Sequence, residues 1–152
     1  MLTPLHHRTS NRWIVIKGES MSPTLKQGQH ALLNTADHFA KSDQINRGDI
    51  IAFRHELMPG KLLIKRVIGL PGERIQLLKS DVLINGEVLS EHYIRHRTPE
   101  SLPVTWSTGK EEYVVLGDNR KDSLDSRKLG IIPIAAVEGK VRFRLWPPRI
   151  FH

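Results

Sequence analysis

A serine in a glycine- and proline-containing loop is the first residue whose setting suits chemistry. Ser20 follows a short apolar run, and the loop of residues 18–24 also contains Gly18 and Pro23. Such a loop can expose a hydroxyl group and direct backbone N–H groups at a developing oxyanion. A serine beside a Pro-Thr turn also occurs in ordinary turns, so this loop alone leaves nucleophilic catalysis and a plain turn as alternatives.

A lysine lies in the apolar segment of residues 63–68, where it is followed by Arg66. Neighbouring residues of a strand point to opposite faces, so either Lys65 or Arg66 must share a face with aliphatic side chains. Burial disfavours the charged form of an amine and lowers its pKa, as a general base near neutral pH requires. The alternative is an edge strand from which the lysine extends to water.

The segment of residues 117–127 is too polar for a core and is rich in Asp, Asn and Ser. These side chains bond readily to nearby backbone, so the segment could form a rigid loop, in which Asp125 and Arg127 could pair. A solvated loop and a phosphate or metal cradle are the competing interpretations. The segment lacks both the Gly-x-x-x-x-Gly-Lys phosphate pattern and the Asp spacing of a calcium loop.

The histidines give no clear metal or triad motif. His92 and His96 are spaced for a helix, but no Glu of a zinc-protease motif lies between them, and Tyr93-Ile94 favours a strand. None of the eight histidines lies in a motif that would place it in a Ser–His–Asp triad. The sequence therefore predicts no metal site.

Short strands are the elements that must position these residues. The sequence predicts a mainly β fold of antiparallel strands, with little helix outside residues 35–43 and 133–137. Asn85-Gly86, between two apolar runs, predicts a two-residue hairpin. We expect a polar tail at 1–12, a catalytic domain at 13–152, a small inserted lobe at about 72–112 and an irregular stretch at 98–111. The predicted strands are residues 13–17, 30–34, 49–54, 62–68, 74–78, 82–84, 113–116 and 140–145.

Composition restricts the function classes further. The 152 residues include no Cys, which excludes disulfides, thiolate catalysis and cysteine-ligated metals. The net charge of +7 favours contact with anionic surfaces, but the basic residues are scattered. This pattern favours a membrane face or solubility over a nucleic-acid stripe. No segment has the roughly 18 apolar residues of a membrane span, so the sequence as written predicts a soluble protein.

Taken together, these segments resemble the catalytic motifs of the type I signal peptidases, which are membrane-associated Ser–Lys proteases. The motifs occur in family order, and the resemblance covers about residues 12–147. The similar segments are residues 20–25 (nucleophile), 47–53, 65–73 (lysine) and 117–127, followed by 130–133 and 139–141.

The resemblance implies a role for each residue of these motifs. Ser20 would be the nucleophile and Lys65 the general base, and the Ser20 amide would serve the oxyanion. Gly18 stands where some family members have a hydroxyl donor. Ser123 would bond the lysine amine, Asp125 with Arg127 would brace the loop, and Met21 and Pro23 would contact substrate. No metal or cofactor is implied.

The implied partner is a precursor protein with small residues before the cleavage site, and no nucleic acid. The family normally has a membrane-spanning segment, which this sequence lacks. The resemblance points to the outer face of the cytoplasmic membrane. The net charge of +7 and the apolar residues Met21 and Leu25 beside Ser20 predict peripheral contact with anionic lipid through an apolar rim. The alternative is that Met21 and Leu25 are buried core and that the charge serves solubility alone. The alternatives are a soluble cytoplasmic protease of the kind that matures nickel superoxide dismutase, an inactive paralogue, and a non-catalytic basic module that binds lipid or nucleic acid.

Overall fold

In the described residues, the larger of two antiparallel sheets contains Lys65 in one of its strands, and Ser20 lies in the turn that follows another. The computed structural model describes residues 9–36, 45–94 and 102–151. The larger sheet has the order β1-β2-β11-β3-β4-β9-β10, and β12 pairs with β11. Its strands are β1 (Thr9–Val15), β2 (His30–Ala36), β3 (Ile50–Phe53), β4 (Leu63–Gly69), β9 (Glu112–Leu116), β10 (Ile132–Pro133), β11 (Val137–Arg144) and β12 (Arg149–Ile150).

The second sheet has four strands in the order β7-β6-β5-β8. Its strands are β5 (Arg74–Leu78), β6 (Asp81–Ile84), β7 (Glu87–Val88) and β8 (Val104–Ser107). They lie within the stretch for which the sequence predicts a small lobe. The two-residue hairpin is present between β6 and β7, where Asn85 and Gly86 have φ values of 50° and 91°. Positive φ at both positions is what this turn requires.

The predicted fold class is confirmed, since every strand pairing in the described chain is antiparallel and helix is scarce. Helix α1 is Ser126–Leu129, and a single 3-10 turn at Ile134–Ala136 falls in the second stretch where a short helix was expected. In residues 9–36, 45–94 and 102–151, no helix is long and apolar enough to cross a membrane.

Several boundaries differ from the prediction, and three of them concern the expected tail, the first expected helix and the irregular stretch. Strand β1 begins at Thr9 and pairs with β2, so the last part of the expected polar tail is strand, because backbone pairing does not require apolar side chains. Thr35 and Ala36 continue β2 instead of starting a helix, and residues 37–43 lie outside the described residues. Strand β8 interrupts the expected irregular stretch because Trp106 is buried as β8 pairs with β5. Residues 1–8 and 98–101 are also outside the described residues.

A shared apolar cluster joins the two sheets. Ile68 and Val114 of the larger sheet pack with Ile75, Val82 and Trp106 of the smaller one. All five side chains are at most 8% exposed. Burial of this size stabilises each large side chain by about 1.5 to 3 kcal/mol. The smaller sheet is therefore held firmly against β4, which is the strand that carries Lys65, and against its neighbour β9.

Candidate active site

Ser20 and Lys65 meet although 45 residues separate them in the chain. Ser20 lies in the turn that follows β1, and Lys65 lies in β4 between β3 and β9. The Lys65 Nζ atom is 2.8 Å from Ser20 Oγ and donates a second hydrogen bond of 2.7 Å to the Ile64 carbonyl. Only 3% of Lys65 is exposed. The structure therefore brings the two predicted reactive residues into direct contact.

The setting of Lys65 suits an amine that works as a base. Burial lowers the pKa of Lys65 to about 8, against the opposing influence of the Asp125 and Asp118 charges. A buried ammonium group loses hydration, and the charges of the two carboxylates do not fully replace it. A substantial fraction of the amine is therefore neutral near pH 8 and able to accept a proton.

Asp125 organises the loop that faces the lysine. Its Oδ1 atom accepts hydrogen bonds from the backbone N–H (3.2 Å) and Nε (2.9 Å) of Arg127, and so caps helix α1. Its Oδ2 atom accepts from the Gly117 N–H at 3.0 Å and from Arg127 Nη2 at 2.9 Å. Burial opposes ionisation, but the bonds and charge of Arg127 and the Gly117 N–H lower the pKa of Asp125. The ion pair that the sequence predicted is present.

The expected hydrogen bond from Ser123 to the lysine amine is absent, and this prediction was wrong for the described chain. The Ser123 Oγ atom is buried and makes no hydrogen bond to the Lys65 amine among residues 9–36, 45–94 and 102–151, whereas its hydroxyl helps to lower the pKa of Asp125. The Lys65 amine is instead directed to Ser20 and to the Ile64 carbonyl. Ser123 packs against Gly117, where a Cβ atom would lie 2.2 Å from the Ser123 hydroxyl and 2.6 Å from the Ser20 carbonyl.

The same loop is tied to the nucleophile by backbone contacts. The Asn119 N–H donates to the Ser20 carbonyl at 3.0 Å, and the Asn119 side-chain amide donates to the Glu19 carbonyl at 3.2 Å. These bonds, together with the close approach at Gly117, fix the position of Ser20 relative to the loop. In the described residues the Ser20 amide N–H itself makes no hydrogen bond, which leaves it available to a ligand.

The other residues of the nucleophile loop have different surroundings. Gly18 is exposed with φ +81°, and its N–H donates to the Gln27 side chain at 3.3 Å. Met21 and Leu25 are 2% and 0% exposed and belong to the apolar core, so the expectation that they form an exposed rim was wrong. The turn after Ser20 directs both side chains inward, since Leu25 N–H bonds to the Met21 carbonyl. Pro23 is half-buried.

Sequence reasoning missed a buried network on the other face of β4. Arg66 Nε and Nη2 donate to the two carboxylate oxygens of Asp118 at 2.8 and 2.6 Å. Thr24 Oγ1 donates to the same carboxylate at 2.5 Å, and Arg66 Nη1 donates to the Gly48 carbonyl at 2.7 Å. Alternation along β4 indicated that Arg66 opposes Lys65, but nothing local indicated its partner 52 residues away.

A second missed network joins the loop to the segment after β7. Arg120 pairs with Glu91, and both are at most 5% exposed. Tyr93 donates to Glu91 at 2.8 Å, and its ring lies 4.0 Å from the Arg66 guanidinium. Burial, together with the charge of Glu91 and the bond to it, raises the pKa of Tyr93. These contacts hold Arg120 and Glu91 together as an ion pair, and they help to position residues 117–120 beside Ser20.

Within the part of the chain that the structure describes, no three His, Asp or Glu side chains gather closely enough to hold a metal ion. His92 is exposed, its ring lies 3.4 Å from the Ser90 hydroxyl, and His96 is outside the described residues. The chemistry that this geometry offers is thus that of a hydroxyl beside a buried amine. A hydroxyl activated in this way can attack a carbonyl carbon.

The family model described as "Signal peptidase, peptidase S26" matches residues 8–146. Signal peptidase IB of Staphylococcus aureus (strain COL) is 33% identical over an alignment of 149 residues, and the match covers 87% of this chain and 76% of that protein. Signal peptidase I of Bacillus caldolyticus is 38% identical over an alignment of 151 residues, and the match covers 90% of this chain and 80% of that protein.

A solved structure is similar as well. The crystal structure of a signal peptidase I from Enterococcus faecalis V583 has a TM-score of 0.56 and 34% sequence identity to this chain. The match covers 64% of this chain and 97% of that one. The family match spans both the Ser20 and the Lys65 segments as well as the loop that braces them. The chain therefore belongs to the signal peptidase family, peptidase S26, and is a serine endopeptidase.

Proposed function

We propose that the chain cleaves signal peptides from precursor proteins, with Ser20 as nucleophile and Lys65 as general base. The observation that carries this proposal is the 2.8 Å contact between Lys65 Nζ and Ser20 Oγ, with the lysine almost fully buried. Nucleophile and base within hydrogen-bond reach of each other are the signature of covalent catalysis. The family membership supports the same reaction class.

In the first half of the reaction, Ser20 Oγ bonds to the scissile carbonyl carbon while its proton passes to the neutral Lys65 amine. The carbonyl oxygen becomes an oxyanion, to which the unengaged Ser20 N–H can donate. Gly18 has no side chain with which to supply a second donor. The intermediate then collapses, the C–N bond breaks, and the Lys65 ammonium gives its proton to the leaving amine.

In the second half, water attacks the acyl group on Ser20, and Lys65 accepts the proton of that water. The ester bond breaks as the Lys65 ammonium returns a proton to Ser20 Oγ, which restores the starting state. In this proposal Asp125 and Asp118 support the ammonium that forms in each half, since their charges favour the protonated lysine. Arg127 holds Asp125 in place for this role.

A free strand edge beside Lys65 supports binding of an extended substrate. Strand β4 pairs with β3 from Leu63 to Arg66, whereas β9 pairs with β4 only from Arg66 onward. The backbone of Leu63 and Ile64 therefore has a ladder partner on one side only within the described sheet. An extended peptide can add to such an edge by main-chain hydrogen bonds, which would bring its scissile bond to Ser20. A preference for small residues before the cut follows from the family likeness and is part of the proposal, as is a substrate contact of the half-buried Pro23. The expected substrate contact of Met21 is not proposed, because its side chain is buried in the core.

In this proposal the chain acts on exported precursors at the outer face of the cytoplasmic membrane. The net charge of +7 supports peripheral contact with anionic lipid. A cytoplasmic location, with a soluble precursor as substrate, is the alternative.

The test is incubation of the purified chain with a secretory precursor, followed by mass spectrometry of the products. We expect one cut after a small residue, and no cut by Ser20→Ala or Lys65→Ala, because nucleophile and base act as a unit. Ser22→Ala in the same loop and Lys61→Ala on the surface are the matched controls and should keep the activity.

Substantial turnover by either dyad variant would contradict the mechanism. Cleavage of a cytoplasmic precursor but of no secretory precursor would replace signal-peptide processing by the soluble maturation role. Circular dichroism of each variant shows whether a lost activity reflects a lost fold.

A further inference from the structure

A basic cavity lies on the face of β4 opposite to the dyad. It has a volume of about 520 Å³, and its lining includes Arg66, which points away from Lys65 because the two are neighbours in one strand. Lys26, Arg144 and Arg149 also line it. None of the described residues that line the cavity is acidic. The cavity is therefore a site of concentrated positive charge that the proposed peptidase mechanism does not use.

Most of this charge has no carboxylate partner in the described chain. Arg66 is neutralised by Asp118. Arg144 is 9% exposed, and its guanidinium donates only to backbone carbonyls, from Nη1 to Thr24 at 2.5 Å and from Nε to Pro147 at 2.7 Å. In residues 9–36, 45–94 and 102–151, no ion pair is found for Lys26, Arg144 or Arg149.

Arg149 is close enough to Arg144 to disfavour the charge of Arg144. Burial and the like charge of Arg149 lower the pKa of Arg144. The two carbonyl bonds hold the Arg144 guanidinium in place, so its position is set before any ligand binds. A fixed and uncompensated guanidinium beside two further cations is an arrangement that an anion would stabilise.

We propose that this cavity binds a phosphate group. A guanidinium matches the geometry of phosphate oxygens, and a lysine supplies an additional point charge. The exposed His92, which also lines the cavity, can donate a further hydrogen bond. Three cations without an ion pair in the described chain line the cavity, and a single carboxylate would neutralise only one of their charges. A phosphate carries up to two negative charges and more oxygen acceptors.

The surroundings of the cavity favour a phospholipid headgroup as the source of that phosphate. Leu145, Trp146 and Ile150 are 50%, 77% and 63% exposed, and they adjoin Arg144 and Arg149 in the β11–β12 hairpin. Tryptophan with aliphatic side chains beside basic residues is typical of surfaces that lie at the lipid–water interface. A free phosphate or a soluble phosphate ester is the other source. The proposal does not depend on the Ser20–Lys65 mechanism.

The experiment compares two double variants that remove equal charge. Lys26→Gln with Arg149→Gln changes the cavity, and Lys110→Gln with Arg74→Gln changes exposed positions that do not line it. In one arm, inorganic phosphate is titrated into each protein by calorimetry. In the other, each protein is sedimented with phosphatidylglycerol vesicles and with phosphatidylcholine vesicles. Cleavage of a soluble peptide provides the control for an intact fold.

We expect the cavity variant to bind phosphatidylglycerol vesicles about tenfold more weakly or worse, because each basic residue near an anionic surface contributes about 1 kcal/mol. The control variant should lose clearly less affinity for these vesicles, and both variants should cleave the soluble peptide at the wild-type rate. Loss in the vesicle arm alone identifies a lipid headgroup, and loss in the calorimetric arm alone identifies a soluble phosphate. Equal loss in the two variants, or no binding in either arm, would overturn the proposal.

Discussion

The pH dependence of cleavage tests the central role given to Lys65. With a pKa of about 8, roughly one lysine in ten is neutral at pH 7. A lysine at its ordinary pKa of 10.5 would be neutral about 300 times less often at pH 7, so the net shift of the Lys65 pKa raises the neutral fraction by about that factor. We therefore expect kcat/KM on a soluble peptide to rise about tenfold from pH 6 to pH 7 and to level off above about pH 9.

A substitution in the loop adds a directional test. The charge of Asp125 raises the pKa of Lys65, so Asp125→Asn should move the ascending limb of the pH profile to lower pH. Asp122→Asn removes an equal charge at an exposed position of the same loop and should leave the limb in place. A fluorogenic peptide measured at constant ionic strength gives both profiles.

Two results would refute this reasoning. One is a wild-type limb near pH 6.5, which would indicate a histidine. The other is a limb that Asp125→Asn leaves unmoved or shifts to higher pH. The total rate of Asp125→Asn is not the criterion, because the same carboxylate also braces Gly117 and Arg127.

For three further substitutions, the structure predicts whether the stability or the rate of cleavage rises or falls. Lys65→Met should raise the free energy of unfolding by about 1 to 2 kcal/mol at pH 7, since it removes a charge that burial disfavours. This gain in stability should shrink between pH 8 and pH 10.5, because there the folded wild type has released the Lys65 proton and the unfolded wild type has not. Urea titrations at several pH values measure the gain. Gly117→Ala should lower kcat/KM at least about tenfold and destabilise the fold by about 1 to 3 kcal/mol, because its Cβ would meet the Ser20 carbonyl at 2.6 Å; kinetics and thermal melts of the variant check both. Glu91→Gln should cost about 3 kcal/mol in urea unfolding because it leaves the buried Arg120 without a counter-charge, and a cost below about 0.5 kcal/mol would contradict this.

Features that depend on neighbouring residues were predicted well from the sequence. The Asn85-Gly86 hairpin, the antiparallel β class and the Asp125–Arg127 pair all depend on residues close together in the chain. Alternation also indicated that either Lys65 or Arg66 shares a face with aliphatic side chains, but it did not indicate which one, and the structure buries both. Turn chemistry and side-chain periodicity are local properties, so the sequence alone determined these features.

Contacts between distant segments were decided by the order of the strands. That order places β11 between β2 and β3 and sets β9 beside β4, which no local pattern specifies. It brings Lys65 to Ser20 across 45 residues and Arg66 to Asp118 across 52. The sequence did indicate Ser20 and Lys65 as candidates, but only through likeness to a family did it indicate that they act together.

The two wrong expectations for the site have the same origin. Ser123 lacks its expected bond to the lysine because its hydroxyl packs against Gly117 of its own loop, while the Lys65 amine is directed to Ser20 and to the Ile64 carbonyl. Met21 is buried because the turn after Ser20 packs inward onto the core. The sequence by itself therefore determined which residues could react and which local turns form. Only the tertiary structure decided their distances, the burial that lowers the pKa of Lys65 and the gathering of cations from several segments into one cavity, because these depend on how non-neighbouring strands pack.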